Sequence, residues 1–526
     1  MMLRAIQRVY QASLWSRSRR LHLDLQRCEE VQSRRLKFLI RDNTSTVYGR
    51  DHSFSTIQSF RDYQSKVPIV DYENVENYIQ RAAAGEKQVL TTEPILIFEE
   101  SSGSTSGNKL LPCTAALFQE FSSATVPWLY DLNRSYDLLN GTTSYWSISP
   151  VTRKKRKTSG GIPIGFEDDT QYFGPMERWA LKRMLAVSPE VARIEDSETW
   201  TDSTLHGLLR AENLGMISVW HPSFFGLLLR RIEIIWEEWI LRNAPHRLAG
   251  IKKTLAHATL AESLWPRLQV VSCWGDGPAA QAMAELRRSM PNVRFQPKGL
   301  LATEGVVTFP LESPEGTRHV TAIGGHFLEF QNLHNPSHPP KMAHELEVGA
   351  EYAPLLSTGA GLYRYRLGDA VRCTGFHHST PSLSFEGRMD QGVDLCGEKL
   401  NARQVDAVLL SSVKQMGLAP LFMLLAPEAE QERRYLLFVE GLTLEQGMNM
   451  AERVEKVFCE SHGYAYARRL GQLLPIKAII VQRGAENYLL AKQSQGKRLG
   501  QIKPTLLETP GPWLAAFSNP TQNWKG

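Results

Sequence analysis

The chain has 526 residues, more than one hydrophobic core ordinarily supports, so two or more domains are expected. With 42% hydrophobic and 22% charged residues it has the composition of an ordinary globular protein, and 60 basic against 55 acidic side chains leave a net charge of +5, too balanced to argue for nucleic acid. No stretch approaches the roughly 20 uncharged apolar residues that cross a bilayer. The six cysteines, at 28, 113, 273, 373, 396 and 459, form no CxxC pair and no zinc-ligand cluster, and read as free thiols in a reducing, cytoplasmic compartment.

Residues 1–23 hold five arginines and no acid, and Leu3, Ile6, Val9 and Tyr10 line one face of a basic leading helix, with a transit peptide as the alternative. Helical periodicity runs through 21–41, where Leu21, Leu25, Cys28, Val31, Leu36 and Leu39 recur, and a turn at 42–50 closes it. A strand at 95–98 delivers a Gly/Ser loop, and helical residues follow from Thr114, which predicts a β-loop-α unit. Further strands are expected at 144–149, 216–220, 268–274 and 293–296, with an amphipathic helix at 223–242 whose aromatic stripe reads as core. The alternation predicts an α/β fold with mostly parallel sheets and flanking helices. Beyond 388 the character changes: a hairpin at 420–426 and 434–440, a helix at 443–462 and a strand at 474–481 predict a small α+β domain. The expected division is 1–388 for the large domain and 389–526 for the small one.

Ile95–Pro112 carries the strongest chemical signal. Apolar β-formers lead into Ser101, Ser102, Gly103, Ser104, Thr105, Ser106 and Gly107, with Lys109 just beyond. Glycines let backbone N–H groups converge, hydroxyls add donors and the lysine adds charge, a concavity suited to a polyphosphate. Its spacing is not that of the Walker loop, and an ordinary flexible turn is the alternative. The pair Thr303–Glu304 after a strand offers a hydroxyl to an anion and a carboxylate to Mg²⁺; a helix N-cap with a nearby acid is the alternative. Asp369, beyond a glycine after the strand-like Gly361–Gly368 run, can accept from vicinal ribose hydroxyls or stand as a solvated strand-end acid. Gly387, Gly392 and Gly397 around Arg388 and Asp390 suit a hinge, and Pro504 fixes Lys503 off a helix. The run Arg153–Lys157 reads as a solvated basic loop, with a nuclear-localisation or anion patch as the alternative, and His221 reads as structural. There is no Gly-x-Ser-x-Gly elbow, no HExxH and no Gly-x-Gly-x-x-Gly opening a helix, which argues against common hydrolase, metalloprotease and dinucleotide-binding chemistry.

The order of these motifs matters more than any one of them. A Ser-Ser-Gly-x-x-x-Gly-x-Lys loop, a Thr-Glu pair, a Tyr-Arg-x-Gly-Asp run, a Gly-Arg-x-Asp hinge and a C-terminal lysine follow in sequence. Together with Val67–Glu73, Gly85-Glu86, Leu264–Pro266, Phe327–Phe330 and Gly397–Leu400, this resembles the plant auxin-responsive acyl acid–amido synthetases and their bacterial relatives, within the acyl-adenylate-forming superfamily. The resemblance covers about residues 30–505. It implies ATP and Mg²⁺ as cofactors, with the loop 101–109 on the ATP phosphates. Thr303 would lie near the α-phosphate and the acyl carboxylate, and Glu304 toward the metal. Asp369 with Arg388 would hold the ribose, and Lys503 would approach the acyl-phosphate centre. One departure is Leu300, where the family often has an aromatic. The implied reaction makes an acyl-AMP and transfers the acyl group to an amine, most simply of an amino acid. A thiol acceptor, as in an acyl-CoA ligase, and a non-catalytic adenylate-binding protein are the alternatives. The expected partners are small molecules, with no nucleic acid and no membrane span, and a monomer is expected.

Overall fold

The computed structural model describes residues 2–102, 108–147, 156–165, 179, 182–194, 196–277, 279–389, 392–428, 432–495, 502 and 504–518. The chain forms two compact units. One comprises Met1–Ser218, Ile232–Cys273 and Asn292–Phe385, and the other Val219–Arg231, Trp274–Pro291 and Glu386–Gly526. Among the described residues no helix is long and apolar enough to cross a membrane.

The first unit opens with helix Met2–Asp24, whose residues Tyr10, Leu14 and Leu21 are buried while Leu3 and Ile6 are half-buried. Val9 points off that face and is exposed, because a 3.6-residue period places it one step from the stripe. The expected helix over 21–41 is two helices, since a second one runs Cys28–Asp42. The break has a tertiary cause. The Leu25 carbonyl accepts from the hydroxyls of Ser379 (3.0 Å) and Thr380 (2.9 Å), and the Ser379 hydroxyl accepts from the Cys28 N–H at 3.0 Å. Part of the expected turn at 42–50 is itself helical, Val47–Asp51, capped by Thr46 accepting from the Gly49 N–H.

Among the described residues three sheets build this unit. The first pairs Ile95–Ser102 antiparallel with Asn108–Thr114, and adds the short strands Pro163–Ile164 and Arg156–Lys157. A second strand therefore stands between the hydroxyl-rich segment and the helix, making a β-loop-β-α unit rather than β-loop-α. Thr114 ends that strand and caps helix Ala115–Ser135 by accepting from the Leu117 N–H. The second sheet is parallel throughout, in the order Thr143–Trp146, Leu214–Ser218, Val270–Cys273, Arg294–Pro297. The third has eight strands, with Thr308–Ser313, Gly316–Thr321 and Thr380–Arg388 paired antiparallel in that order, and Lys341–Met342, Phe327–Asn332, Glu351–Ser357 and Asp369–His377 likewise. The fold is α/β, and parallel pairing is concentrated in one sheet. Short turns join many of the strands after residue 300, and a short turn can only reverse the chain.

In the second unit, Phe422–Glu428 and Arg434–Glu440 form the expected hairpin, and Lys477–Ile480 joins it in parallel. The expected helix at 443–462 is Leu444–Phe458 with its own capping box at Thr443, followed by a separate helix His462–Arg469. Among the described residues two apolar clusters hold this unit, one around Phe458, Tyr464 and Leu437, the other around Phe438, Trp513 and Phe517. Of the expected stripe on helix Pro222–Asn243, Phe225, Leu228, Leu229, Ile232 and Trp239 are buried core, while Ile235 and Trp236 are half-buried.

Candidate active site

Thr303 and Glu304 are neither a strand end nor a helix N-cap. They are the two central residues of a tight turn, in which Ala302 N–H donates to the Gly305 carbonyl (2.9 Å) and Gly305 N–H to the Ala302 carbonyl (3.2 Å). Leu301 and Val306 make the single bridge below it. Gly305 is required by space, because a Cβ there would lie 2.6 Å from Leu356 and 2.7 Å from His326. The Thr303 and Glu304 side chains are half-exposed, and among the described residues neither has a hydrogen-bond or ion-pair partner.

A contiguous set of contacts leads from this turn to the hydroxyl-rich hairpin. Leu356, against Gly305, belongs to strand Glu351–Ser357 and pairs with Tyr365. Tyr365 also bridges to Val70, and Arg366 N–H donates to the Val70 carbonyl at 2.9 Å. That pairing brings the Val67–Glu73 motif alongside. The Tyr365 hydroxyl is pushed well above its ordinary range, first by burial and then by the charges of Glu304, Glu73 and Asp71 around it. Tyr72 accepts the Leu110 N–H at 3.0 Å, and Lys109 lies 5.2 Å over the Tyr72 ring and 3.9 Å from the Glu73 carboxylate. Lys109, Tyr365 and Glu304 thus border one region. Asp369 opens strand Asp369–His377 directly after Gly368, whose φ of 77° makes the intervening turn. It is buried, which rules out a solvated strand-end acid.

Arg388 ends strand Thr380–Arg388, whose residues from Glu386 on belong to the second unit. Ser101 and Ser102 close strand Ile95–Ser102. Gly103, Ser104, Thr105, Ser106, Gly107, Asp390 and Lys503 lie outside the described residues, as do Arg153–Lys155. Of the basic run, Arg156 and Lys157 form a short exposed strand, and Arg156 pairs with Glu100 at 2.5 Å. His221 is buried, bonds Ser223 at 2.7 Å, and burial drives its imidazole down to about 3, as a structural neutral histidine should be.

Two groups escaped the sequence reading. Lys298, at the C-terminal edge of the parallel sheet, is buried. It donates to Ser218 at 2.9 Å and lies 4.9 Å over Trp128; burial lowers its ammonium to about 7. The buried pair Glu120–His326 (2.8 Å) sits directly behind the Thr303–Glu304 turn. Only a tertiary contact reveals either, since the pair is 206 residues apart in sequence.

The sequence matches the GH3 family N-terminal domain over residues 17–242, the central domain over 319–388 and the C-terminal domain over 404–509. The chain belongs to the GH3 family. Similar GH3 proteins include a probable indole-3-acetic acid-amido synthetase of Oryza sativa subsp. japonica, 23% identical with 90% of each chain covered. A jasmonoyl–L-amino acid synthetase of Nicotiana attenuata is 22% identical, with 88% of each covered. The GH3.15 acyl acid amido synthetase structure superposes with a TM-score of 0.80 at 19% identity, covering 97% of this chain and 96% of that one, so the fold is that of a GH3 enzyme.

Proposed function

We propose that the protein is an ATP-dependent acyl acid–amido synthetase. It converts a carboxylic acid to an acyl-adenylate with release of pyrophosphate, then passes the acyl group to the amine of an amino acid. The observation that supports this reading, in a GH3 chain, is that Lys109 lies against Glu73 while the charges of Glu73 and Glu304 both act on Tyr365, so the lysine and the turn border one region of the first unit.

The chemistry follows from charge. A carboxylate must approach the α-phosphorus of a polyanion in line, and the attack fails unless the developing charge is met by fixed donors. The hydroxyls and N–H groups of 101–107 and Lys109 are proposed to hold the phosphates, with the Thr303 hydroxyl at the reacting carboxylate. Asp369 is proposed to accept from the ribose hydroxyls, and Arg388 to donate to a ribose oxygen. Lys503 is proposed to neutralise the acyl-phosphate centre. Glu304 fits a Mg²⁺ ligand: a hard oxygen donor at the tip of a turn, with no protein cation on it among the described residues. Mg²⁺ is commonly held by one or two carboxylates plus substrate phosphates, and when bound it would withdraw charge from the phosphate oxygens. A swing of the smaller domain near residue 388 is proposed to let one site serve both half-reactions. Among the described residues no cysteine is in a disulfide, which suits a reducing compartment such as the cytoplasm.

The test is pyrophosphate release with ATP across a panel of carboxylic acids, followed by mass analysis of products formed with mixed amino acids or with CoA. An amide product supports the reading, and a thioester alone replaces it with an acyl-CoA ligase. ATP binding without release for any acid leaves only an adenylate-binding protein. Asp369→Ala is expected to weaken ATP binding far more than acyl-acid binding; equal weakening counts against a ribose contact.

A further inference from the structure

Two-residue hairpins normally use turns whose central residues both have, or begin with, positive φ, because that twist matches the flanking strands. Neither Thr303 nor Glu304 has a positive φ. The pairing beneath is irregular: one bridge at Leu301 and Val306, then the Val307 and Thr308 N–H groups both on the Leu300 carbonyl at 2.9 and 3.3 Å, with the Leu300 N–H turned to the Thr308 hydroxyl at 2.8 Å. Such a turn does not hold its own direction and needs an outside support.

That support is His326. Its Nε2 lies 2.9 Å from the Val306 nitrogen. A backbone N–H can only donate, so Nε2 is the acceptor and the ring proton is on Nδ1. Nδ1–H donates to Glu120 at 2.8 Å. Glu120 is fixed in turn, since it accepts the Gly359 N–H at 2.8 Å and pairs with Arg35. Gln32 holds the histidine backbone, donating to the His326 carbonyl at 2.9 Å. Burial, reinforced by Arg35, drives the imidazole down to about 3, so the ring stays neutral and the tautomer does not change at working pH.

We propose that His326, its tautomer set by Glu120, is a positioning residue that aims the Thr303–Glu304 turn at the reacting phosphate. This rests on the reading of Glu304 given above. A misplacement of about 1 Å in a group at the reacting centre costs on the order of 10²-fold in rate, and loss of an orienting partner behind a metal ligand about 10- to 100-fold.

Two substitutions separate the roles of the two ring nitrogens. His326→Gln puts an oxygen where Nε2 was and keeps the acceptor for Val306. His326→Asn keeps a donor toward Glu120 and loses that acceptor. In acid-dependent pyrophosphate exchange, His326→Asn is expected to lower kcat about 10- to 100-fold with the KM for ATP within about twofold. His326→Gln is expected to recover most of that loss. A role limited to satisfying the buried Glu120 gives the opposite order, with His326→Gln the worse variant, and overturns the proposal. Wild-type kcat in both variants overturns it as well. Glu304→Ala is run alongside: exchange that survives it removes the catalytic reading of the turn, and this inference with it. A readout independent of activity is amide hydrogen exchange at Val306. It should rise at least about tenfold in His326→Asn, while strand Ile95–Ser102 is unchanged. Unaltered Val306 protection also overturns the proposal.

Discussion

Arg364 holds a left-handed backbone, φ 49°, that a non-glycine residue keeps only when its surroundings enforce it. They do so through five hydrogen bonds of one buried side chain, three to the Glu329 carboxylate and one each to the Gln64 and Val67 carbonyls. Burial raises the Glu329 carboxyl, and Arg364 pulls it back down. Arg364→Met leaves an uncompensated buried acid and is expected to cost about 3–5 kcal/mol. An acid whose folded pKa is raised favours folding at low pH and loses that contribution as pH climbs. The deficit of the variant should therefore grow between pH 5 and pH 8, read as the difference in unfolding free energy from wild type. Lys298 runs the other way. Its folded ammonium titrates near 7 against an ordinary 10.5, so the unfolded chain binds the extra proton between those values and stability rises with pH across that window. Lys298→Met removes the buried charge. Its Tm should exceed wild type most at pH 6–7, with the two curves converging toward pH 10. A gap that stays constant with pH would show that Lys298 is not held against its charge.

At the scale of elements, Gly305 joins the candidate site to the core. Gly305→Ala introduces no backbone strain, because its φ is not positive, yet the new methyl meets Leu356 at 2.6 Å and His326 at 2.7 Å. Overpacking of that kind costs about 1–3 kcal/mol, and pyrophosphate exchange should fall further than the lost stability accounts for. Gly161→Ala, where a Cβ meets nothing within 4 Å, serves as the comparison; its positive φ of 82° predicts a stability loss with exchange retained. What was legible in the sequence divides along the same line. Strand Ile95–Phe98 and the helix Pro222–Asn243 announced themselves through local apolar period. The break at Leu25–Arg27 did not, since its cause is Ser379 and Thr380, more than 350 residues away. Strand Asn108–Thr114 was hidden because Leu110-Leu111-Pro112 is a short apolar run whose β character comes from its ladder with Phe98, Glu99 and Glu100. Thr303–Glu304 and Asp369 stood out in the sequence through motif order, and the chemistry given to them is a proposal. The turn that presents the first pair, and His326 behind it, did not stand out, since no local pattern marks a histidine that reaches Val306 across the fold.

On the scale of the whole molecule, sequence character placed a change near residue 388, while the second compact unit also takes in Val219–Arg231 and Trp274–Pro291. The chain therefore passes between units five times, at 218/219, 231/232, 273/274, 291/292 and 385/386. Composition marks the last passage, where one style of segment gives way to another. It cannot mark the others, because an apolar residue such as Leu227 reads identically whichever core it joins. Leu227 packs against the cluster of Leu424, Phe438, Tyr488, Trp513 and Phe517. A fragment of residues 386–526 keeps the hairpin and its parallel third strand but loses that cover. Burying a leucine contributes about 1.5–3 kcal/mol, and each 1.4 kcal/mol is tenfold in an opening equilibrium. Amide protection in strand Arg434–Glu440 is accordingly expected to be at least about tenfold lower in the fragment than in the full chain, measured by hydrogen exchange under identical conditions. Equal protection would mean that 386–526 is autonomous and that the two early segments merely lie on it. Reduced protection would mean that this unit is complete only once residues from the middle of the chain have joined it.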